Sequence, residues 1–225
     1  MHIDTEFGTV LPEKVIVEKG QKKIIVANTI QNGEVSVEEN SELTLVMILT
    51  KGWEDKKILN LFLDGENSKI TFLAFIIARD SEEFKFETIS NHQVEKTEAY
   101  YHVRAAMFDK SKVYYKGNLN IDKGGQITNT YLSHDTLMLS KDARVETIPS
   151  LEIEADDVKA GHAATVRRID EEMLFYLASR GIGQKEAEEM LIKGFMEATL
   201  DLVPDESTRR VIIDNIENAL PGHIK

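Results

Sequence analysis

The chain has 225 residues, of which 42% are hydrophobic, a formal net charge of −12 and no cysteine. The hydrophobic fraction is that of a globular protein with a sizeable core, and the negative charge disfavours nucleic acid and anionic membrane surfaces as partners. The missing cysteines exclude disulfides, thiolate metal ligands and a cysteine nucleophile. The sequence begins without the basic and apolar regions of a secretory signal, and no apolar run reaches bilayer length, so we expect a cytoplasmic protein.

Residues 1–168 form the first predicted unit, because apolar and polar residues alternate there with the period of two that marks β-strands. A loose repeat runs through it, in which an apolar-x-apolar stretch is followed by a polar turn and a return to strand. The repeat covers residues 35–43, 61–70, 119–127, 137–145 and 151–159. Its turns contain residue types that tolerate tight or left-handed backbone, namely Asn40, Gly65, Gly124, Gly125, Asp142 and Asp156.

This repeat favours a β-solenoid slightly, since such a unit buries its apolar side only against stacked neighbours. The spacing between the units is irregular, and a sandwich of antiparallel hairpins produces a similar pattern. The repeat alone therefore leaves both folds open.

Residues 169–225 form the second predicted unit, in which apolar residues recur at helical spacing. Asp170 is a suitable N-cap for a first helix, and Gly181 and Gly183 follow it as breaks. A second helix ends at Pro204 and carries an apolar stripe formed by Ala187, Met190, Leu191, Gly194, Phe195 and Ala198. A third helix, from about Asp205 to Pro221 and Gly222, presents Ile212, Ile213, Ile216 and Leu220. These helices are suited either to cap a solenoid or to dock a partner.

The sequence contains no phosphate-binding loop, dinucleotide fingerprint, nucleophile elbow or HExxH motif, and its six histidines show no metal-ligand spacing. His162 lies between Gly161 and Ala163, small residues that leave its ring accessible. Taken without context, such a histidine is more often structural, although an imidazole also binds iron or zinc. One histidine becomes a metal site only with ligands from another chain or a cofactor.

Residues 139–195 contain a series of short motifs, which include Pro149-x-Leu151-Glu152-Ile153, His162-x-Ala164-Thr165-Val166, Leu174-Phe175-Tyr176-Leu177 and Ser179-Arg180-Gly181-Ile182. In their order and identity these pieces resemble the core of the SufB/SufD family, the scaffold proteins of the SUF iron–sulfur cluster assembly system. The resemblance implies an all-β core that is a right-handed parallel β-helix, followed by a small helical domain. It also implies a non-catalytic scaffold subunit rather than an enzyme.

The resemblance implies two kinds of partner. SufB and SufD pair through their β-helices, so we expect a SufB-like chain, or a second copy of this chain, to pair with this one. Each helical domain of the family binds one copy of the ATPase SufC, and we expect that contact at Tyr176, Arg180, Gly181 and Ile182. The alternative for Arg180 is a cation that stabilises a helix C-terminus by about 0.3–1 kcal/mol.

The chain departs from the SufB pattern, which has a cysteine upstream of the histidine and a glutamate directly after it. Ala163 stands in the glutamate position, and Ala160 stands where many SufD-type members have a cysteine. We therefore interpret the chain as SufD-like, with His162 as one ligand or electrostatic contributor at an interface that a partner completes. No cofactor is expected on this chain alone, because iron–sulfur clusters are held chiefly by cysteine thiolates; a transient cluster is expected at the partner interface.

Two other function classes stay open at this point. One is a homodimeric structural β-solenoid without metal chemistry. The other is a β-helix enzyme that transfers acyl groups, for which the regular hexapeptide rungs are missing, or that acts on polysaccharide, for which charged side chains would line successive rungs.

Overall fold

The computed structural model describes residues 3–220 and consists of thirteen β-strands followed by three α-helices. The strands are β1 (Asp4–Val10), β2 (Lys14–Val17), β3 (Lys22–Thr29), β4 (Gly33–Val37), β5 (Glu42–Leu49), β6 (Lys57–Leu63), β7 (Lys69–Ala78), β8 (Glu83–His92), β9 (Glu98–Met107), β10 (Lys112–Ile121), β11 (Thr128–Met138), β12 (Arg144–Ile153) and β13 (Val158–Arg168). The helices are α1 (Glu171–Ser179), α2 (Gln184–Glu197) and α3 (Glu206–Ala219), with a short 3-10 turn at Leu200–Leu202. Pro221 and Gly222, predicted to end the third helix, lie outside the described residues.

The strands alternate between two parallel sheets. The odd-numbered strands form a seven-stranded sheet, the odd sheet, and the even-numbered strands form a six-stranded sheet, the even sheet. Every strand pairs in parallel with the strand two positions along the chain, so each pair of consecutive strands adds one rung. The fold is a parallel β-solenoid. This confirms the predicted solenoid, and the alternative prediction of an antiparallel sandwich is wrong. The hand of the coil stays a prediction.

The rungs lengthen along the chain, which explains the irregular spacing of the sequence repeat. Lys14 pairs with Glu34 in an early rung, whereas Lys112 pairs with Arg144 in the last one, so the later rung contains more residues. Four of the five repeat units cover the turn from an even strand to the next odd strand. The unit at 137–145 covers the opposite turn, from β11 to β12.

The turns after the even strands are stacked, and five of the six contain a left-handed residue. Positive φ angles occur at these turns in Gly20, Asn40, Asn67, Lys96 and Ile127. The backbone N–H of Asn40 donates to the carbonyl of Glu66 in the next rung at 2.9 Å, and equivalent bonds join other rungs. Of the turn residues predicted from the sequence, Asn40 is the one with a positive φ. Gly65 must be glycine for a different reason, because a Cβ there would lie 2.0 Å from the backbone nitrogen of Glu39.

The two sheets enclose an apolar core, and α2 and α3 cover the outer face of the odd sheet. β7 is therefore buried on both faces after its first residue and reads as the continuous apolar run KITFLAFIIA. β10 lies in the even sheet, and its residues alternate strictly between buried and partly exposed. The continuous apolar run of β7 thus indicates a sheet with both faces buried, and the alternation of β10 indicates a sheet with one face exposed.

Aspartates cap α1 and α3, and the cap of α1 confirms the sequence prediction. The Asp170 carboxylate accepts hydrogen bonds from the backbone N–H groups of Glu172 and Met173 at 2.9 and 3.3 Å. Asp205 caps α3 by accepting from the backbone N–H of Thr208 at 2.7 Å. The last strand ends at residue 168 and α1 begins at residue 171, while the division into units 1–168 and 169–225 stays a prediction. None of the helices in the described range is long and apolar enough to span a bilayer.

The predicted apolar stripe of α2 is partly wrong. Met190 is 49% exposed, and Gly194 and Ala198 are also exposed, whereas Ile192 and Met196 are buried. The helix contacts both β9 and α3, and these two neighbours bury a face rotated away from the predicted one. Apolar residues lie on several sides of this helix, so the periodicity alone did not select the buried side.

Candidate functional site

The C-terminal end of the solenoid presents two edge strands. β12 is the last strand of the even sheet and β13 is the last strand of the odd sheet, so each has a neighbouring strand on one side only. Each therefore leaves a row of backbone N–H and C=O groups unpaired along 10 and 11 residues, respectively. Large apolar side chains are exposed beside these edges: Ile148 is 47% exposed, Ile153 42% and Val166 54%.

His162 lies in the middle of β13 and points toward the interior of the solenoid. It pairs in register with Leu132 of β11, which pairs with Tyr101 of β9. Leu132 and Tyr101 are buried in the core, and residues at one register position share a face of the sheet. His162 is nevertheless exposed, because no further strand of the described chain covers it, and its inner-face neighbours are Ala160 and Ala164.

The floor beneath His162 is Leu132, flanked on the inner face of β11 by the buried side chains of Thr130 and His134, and it is tightly packed. Leu132 fills the space over Gly117 on the opposite sheet, where a Cβ would lie 2.2 Å from the leucine Cδ1. Gly117 pairs in register with Pro149, which lies in the last even strand. The imidazole therefore lies at the mouth of the solenoid with a closed floor below it and small or apolar residues around it.

His162 makes no side-chain hydrogen bond or ion pair with any residue in the described range. No cluster of three or more His, Cys, Asp or Glu side chains suited to a metal ion occurs within residues 3–220. The described residues thus offer a single accessible imidazole at this end, which can act as one ligand or as one cation but not as a complete metal site.

Two other histidines are buried inside the solenoid. His92 bonds through Nδ1 to the Thr97 hydroxyl at 2.8 Å and through Nε2 to the Ser90 hydroxyl at 3.1 Å. His134 packs edge-on against the ring of Tyr115, with 5.3 Å between the ring centroids. Burial lowers the pKa of each histidine to about 4, so both rings are neutral near pH 7.

These two histidines predict a loss of stability in mild acid. In the unfolded chain their pKa is about 6.5, so between pH 6.5 and pH 4 the unfolded state binds more protons than the folded state. Their stabilisation is complete above pH 6.5 and is lost as the pH falls toward 4, by about 2–3 kcal/mol for each histidine between pH 7.5 and pH 4.5. Urea unfolding at several pH values measures this loss.

The variant His134→Gln isolates the effect. It removes one titrating ring, so the free energy of unfolding should fall less steeply from pH 6.5 to pH 4.5 than in the wild-type chain. Parallel pH profiles for the two proteins would contradict the assignment of this loss to His134.

The predicted partner-binding residues lie at the C-terminal end of α1. The guanidinium of Arg180 lies 5.3 Å from the ring centroid of Tyr176, which is 49% exposed. Gly181 has a φ of +85°, and its N–H donates to the Ala178 carbonyl while the N–H of Ile182 donates to Leu177. This is a Schellman motif, so Gly181 has a structural reason to be glycine.

The exposed side of α1 continues from this turn. The helix has no buried residue, and Met173 and Phe175 are 43% and 77% exposed. We call Met173, Phe175, Tyr176 and Arg180 the α1 surface. α2 and α3 cover the outer face of the odd sheet and α1 contacts α2, whereas His162 points inward from the last strand of that sheet. No hydrogen bond, ion pair or ring contact in the described range joins His162 to the α1 surface.

Sequence reasoning missed a cluster that joins the helices to the solenoid. Arg104 of β9 donates to the carbonyl of Phe195 at 2.6 Å and lies 3.5 Å from the Asp135 carboxylate. The guanidinium carbons of Arg104 and Arg167 lie 4.9 and 5.2 Å from the Phe195 ring centroid. We call these four residues the junction cluster. Arg104 and Phe195 are 91 positions apart, so no local sequence signal reveals their contact.

Comparison with known proteins places this architecture in a family. A family model described as "SUF system FeS cluster assembly, SufBD core domain" matches residues 17–195. The iron-sulfur cluster assembly protein SufD of Escherichia coli K12 is 33% identical over 160 residues, which cover 71% of this chain and 38% of that protein. SufD of Bacillus subtilis strain 168 is 34% identical over 158 residues, which cover 70% and 36%.

A SufBD family protein of Staphylococcus saprophyticus is 31% identical over 150 residues, which cover 67% of this chain and 32% of that protein. The chain thus spans little more than a third of the length of the two SufD proteins it matches. The family model covers both the solenoid from the end of β2 onward and the first two helices as far as Phe195. This chain belongs to the SufB/SufD family and is SufD-like.

Proposed function

We propose that this chain is a non-catalytic scaffold subunit for iron–sulfur cluster assembly by the SUF system. The names of its SufD relatives support this role. The observation that carries the proposal is the open end of the solenoid, where a single accessible imidazole, His162, lies on the inner face of the last rung between small residues. The chain has no cysteine, so a cluster built there needs thiolates from elsewhere.

The open end is also where a partner chain pairs in this proposal. The two ends of the solenoid differ: Glu6 of β1 occupies an inward register position and pairs with Lys23 at 2.6 Å, whereas the inner face of β13 has Ala160, His162 and Ala164 at its centre. Inward-pointing charges protect an edge strand against further pairing. Within the described C-terminal edges, the one inward register position with a permanent charge is Arg168 at the very end of β13, so the rest of both strands suits the addition of strands from a SufB-like chain or from a second copy.

In this complex the cluster is cargo and no cofactor belongs to this chain alone. His162 contributes one nitrogen ligand or a positive charge, and the partner contributes the thiolates. The α1 surface binds a SufC-type ATPase, since a helix with no buried residue and a 77% exposed phenylalanine needs cover from another protein. The complex works in the cytoplasm.

Co-expression with the SufB-like and SufC-like chains of the same genome tests the proposal, and the mass of the purified complex is the readout. A defined heteromer that contains the ATPase is the expected result. A clean homodimer that binds neither chain would overturn the SufD-like role and favour the structural homodimer instead.

A further inference from the structure

A cleft lies where the last strand meets the helical part of the chain. It has a volume of about 180 Å³ and is formed by the end of β13, the start of α1 and the middle of α2. Its lining includes Arg167, Arg168, Ile169, Met173, Leu191 and Phe195. Small-molecule pockets usually measure about 300–1,000 Å³, so this cleft has room for the head of a side chain rather than for a whole ligand.

The polar groups of the cleft are mainly cationic. Arg167 and Arg168 form no ion pair with any carboxylate in the described range, although the chain as a whole is strongly acidic. The one carboxylate in the lining, Asp170, already accepts two backbone hydrogen bonds at the start of α1. The Asp135 carboxylate of the neighbouring junction cluster lies 3.5 Å from the Arg104 guanidinium, so it already has a cation.

The cleft is continuous with the α1 surface. Met173 lines the cleft and also belongs to that surface, and Tyr176 and Arg180 follow it at helical spacing. A helix of 9 residues is about 13 Å long. The surface therefore runs from the cleft arginines at one end of the helix, over apolar side chains, to Arg180 at the other.

We propose that this cleft receives a carboxylate side chain of the protein that docks on the α1 surface. A guanidinium binds a carboxylate with two parallel hydrogen bonds, and Arg167 and Arg168 are the free guanidinium groups of the lining. An apolar residue next to that carboxylate in the partner packs on Met173 and Leu191. This inference rests on the proposed function, because it specifies the chemistry of the ATPase segment that α1 binds.

Binding of the ATPase chain to the full chain tests the inference. The variant Arg168→Gln and the double variant Arg167→Gln, Arg168→Gln should each weaken binding, the double variant by about tenfold, and the affinity of the double variant should depend less on salt. Lys159→Gln is the matched control, because Lys159 is an exposed cation on the same strand and forms no ion pair in the described range. The Lys159→Gln chain should bind the ATPase with the affinity of the wild type. Thermal melting of each variant verifies its fold, and Arg168→Gln leaves the Arg167–Phe195 contact in place.

The variant Phe175→Ala separates this inference from the proposed docking. If both arginine variants bind like the wild type while Phe175→Ala binds weakly, the carboxylate inference is wrong and docking on α1 stands. If the wild-type chain does not bind the ATPase, the proposed function fails and the inference fails with it. Equal weakening by Lys159→Gln would mean a general charge effect and would also overturn the inference.

Discussion

The variant His162→Ala is expected to lower the yield of iron–sulfur cluster from the purified complex by roughly tenfold or more, the scale seen when a metal site loses a supporting group. The fold and the mass of the complex should not change. His162 is exposed and makes no side-chain hydrogen bond within the described range, so its truncation should alter the free energy of unfolding by no more than about 0.5 kcal/mol. Cluster absorbance and iron content per complex are the measurements.

Lys159→Ala is the control for this experiment. Lys159 lies three residues before His162 on the same edge strand but on the outer face, where it pairs in register with Asn129. The complex that contains the Lys159→Ala variant should assemble clusters at the wild-type rate. If His162→Ala also assembled them at the wild-type rate, His162 would have a structural role only, and the open end would be a pairing surface without chemistry of its own.

The variant Phe195→Ala is expected to destabilise the chain by about 3–5 kcal/mol. Phe195 is 5% exposed and belongs to the core between the helices and the odd sheet. Its ring also contacts the guanidinium groups of Arg104 and Arg167, and each such contact contributes about 0.5–2 kcal/mol. Urea unfolding followed by fluorescence and by circular dichroism measures the loss.

Phe175→Ala makes the same chemical change in the same helical region and serves as the comparison. Phe175 is 77% exposed, so its loss should alter the free energy of unfolding by no more than about 0.5 kcal/mol. For ATPase binding we expect the opposite order: Phe175→Ala should lose more affinity than Phe195→Ala, because Phe175 lies on the proposed docking surface. Equal losses of stability in the two variants would contradict the division between a buried junction and an exposed α1 surface.

The features that the sequence predicted best depend on neighbouring residues. Asp170 caps α1 as predicted, because a short acidic side chain before a helical run satisfies free backbone N–H groups. Strict alternation in β10 reports a sheet with one face in water. A period of two does not say whether neighbouring strands run parallel, however, so the pattern alone left solenoid and sandwich open; the resemblance of residues 139–195 favoured the solenoid.

The features that the sequence did not reveal depend on distant contacts. The buried face of α2 is selected by β9 and α3, and Ile192 is buried where Met190 was predicted. The junction cluster brings together residues from β9, β11, β13 and α2. His162 was identified by its motif, but its accessibility follows from the position of β13 as the last strand of its sheet.

The two ends of the solenoid also determine how the chain behaves in the absence of partners. Head-to-tail stacking would place the open end of one copy on the β1 end of another and would continue without limit as a fibre, but the inward carboxylate of Glu6 opposes that contact. Contact between two open ends is self-complementary and closes at two copies. In the proposed pairing, two copies that meet through their open ends therefore form a closed pair rather than a filament.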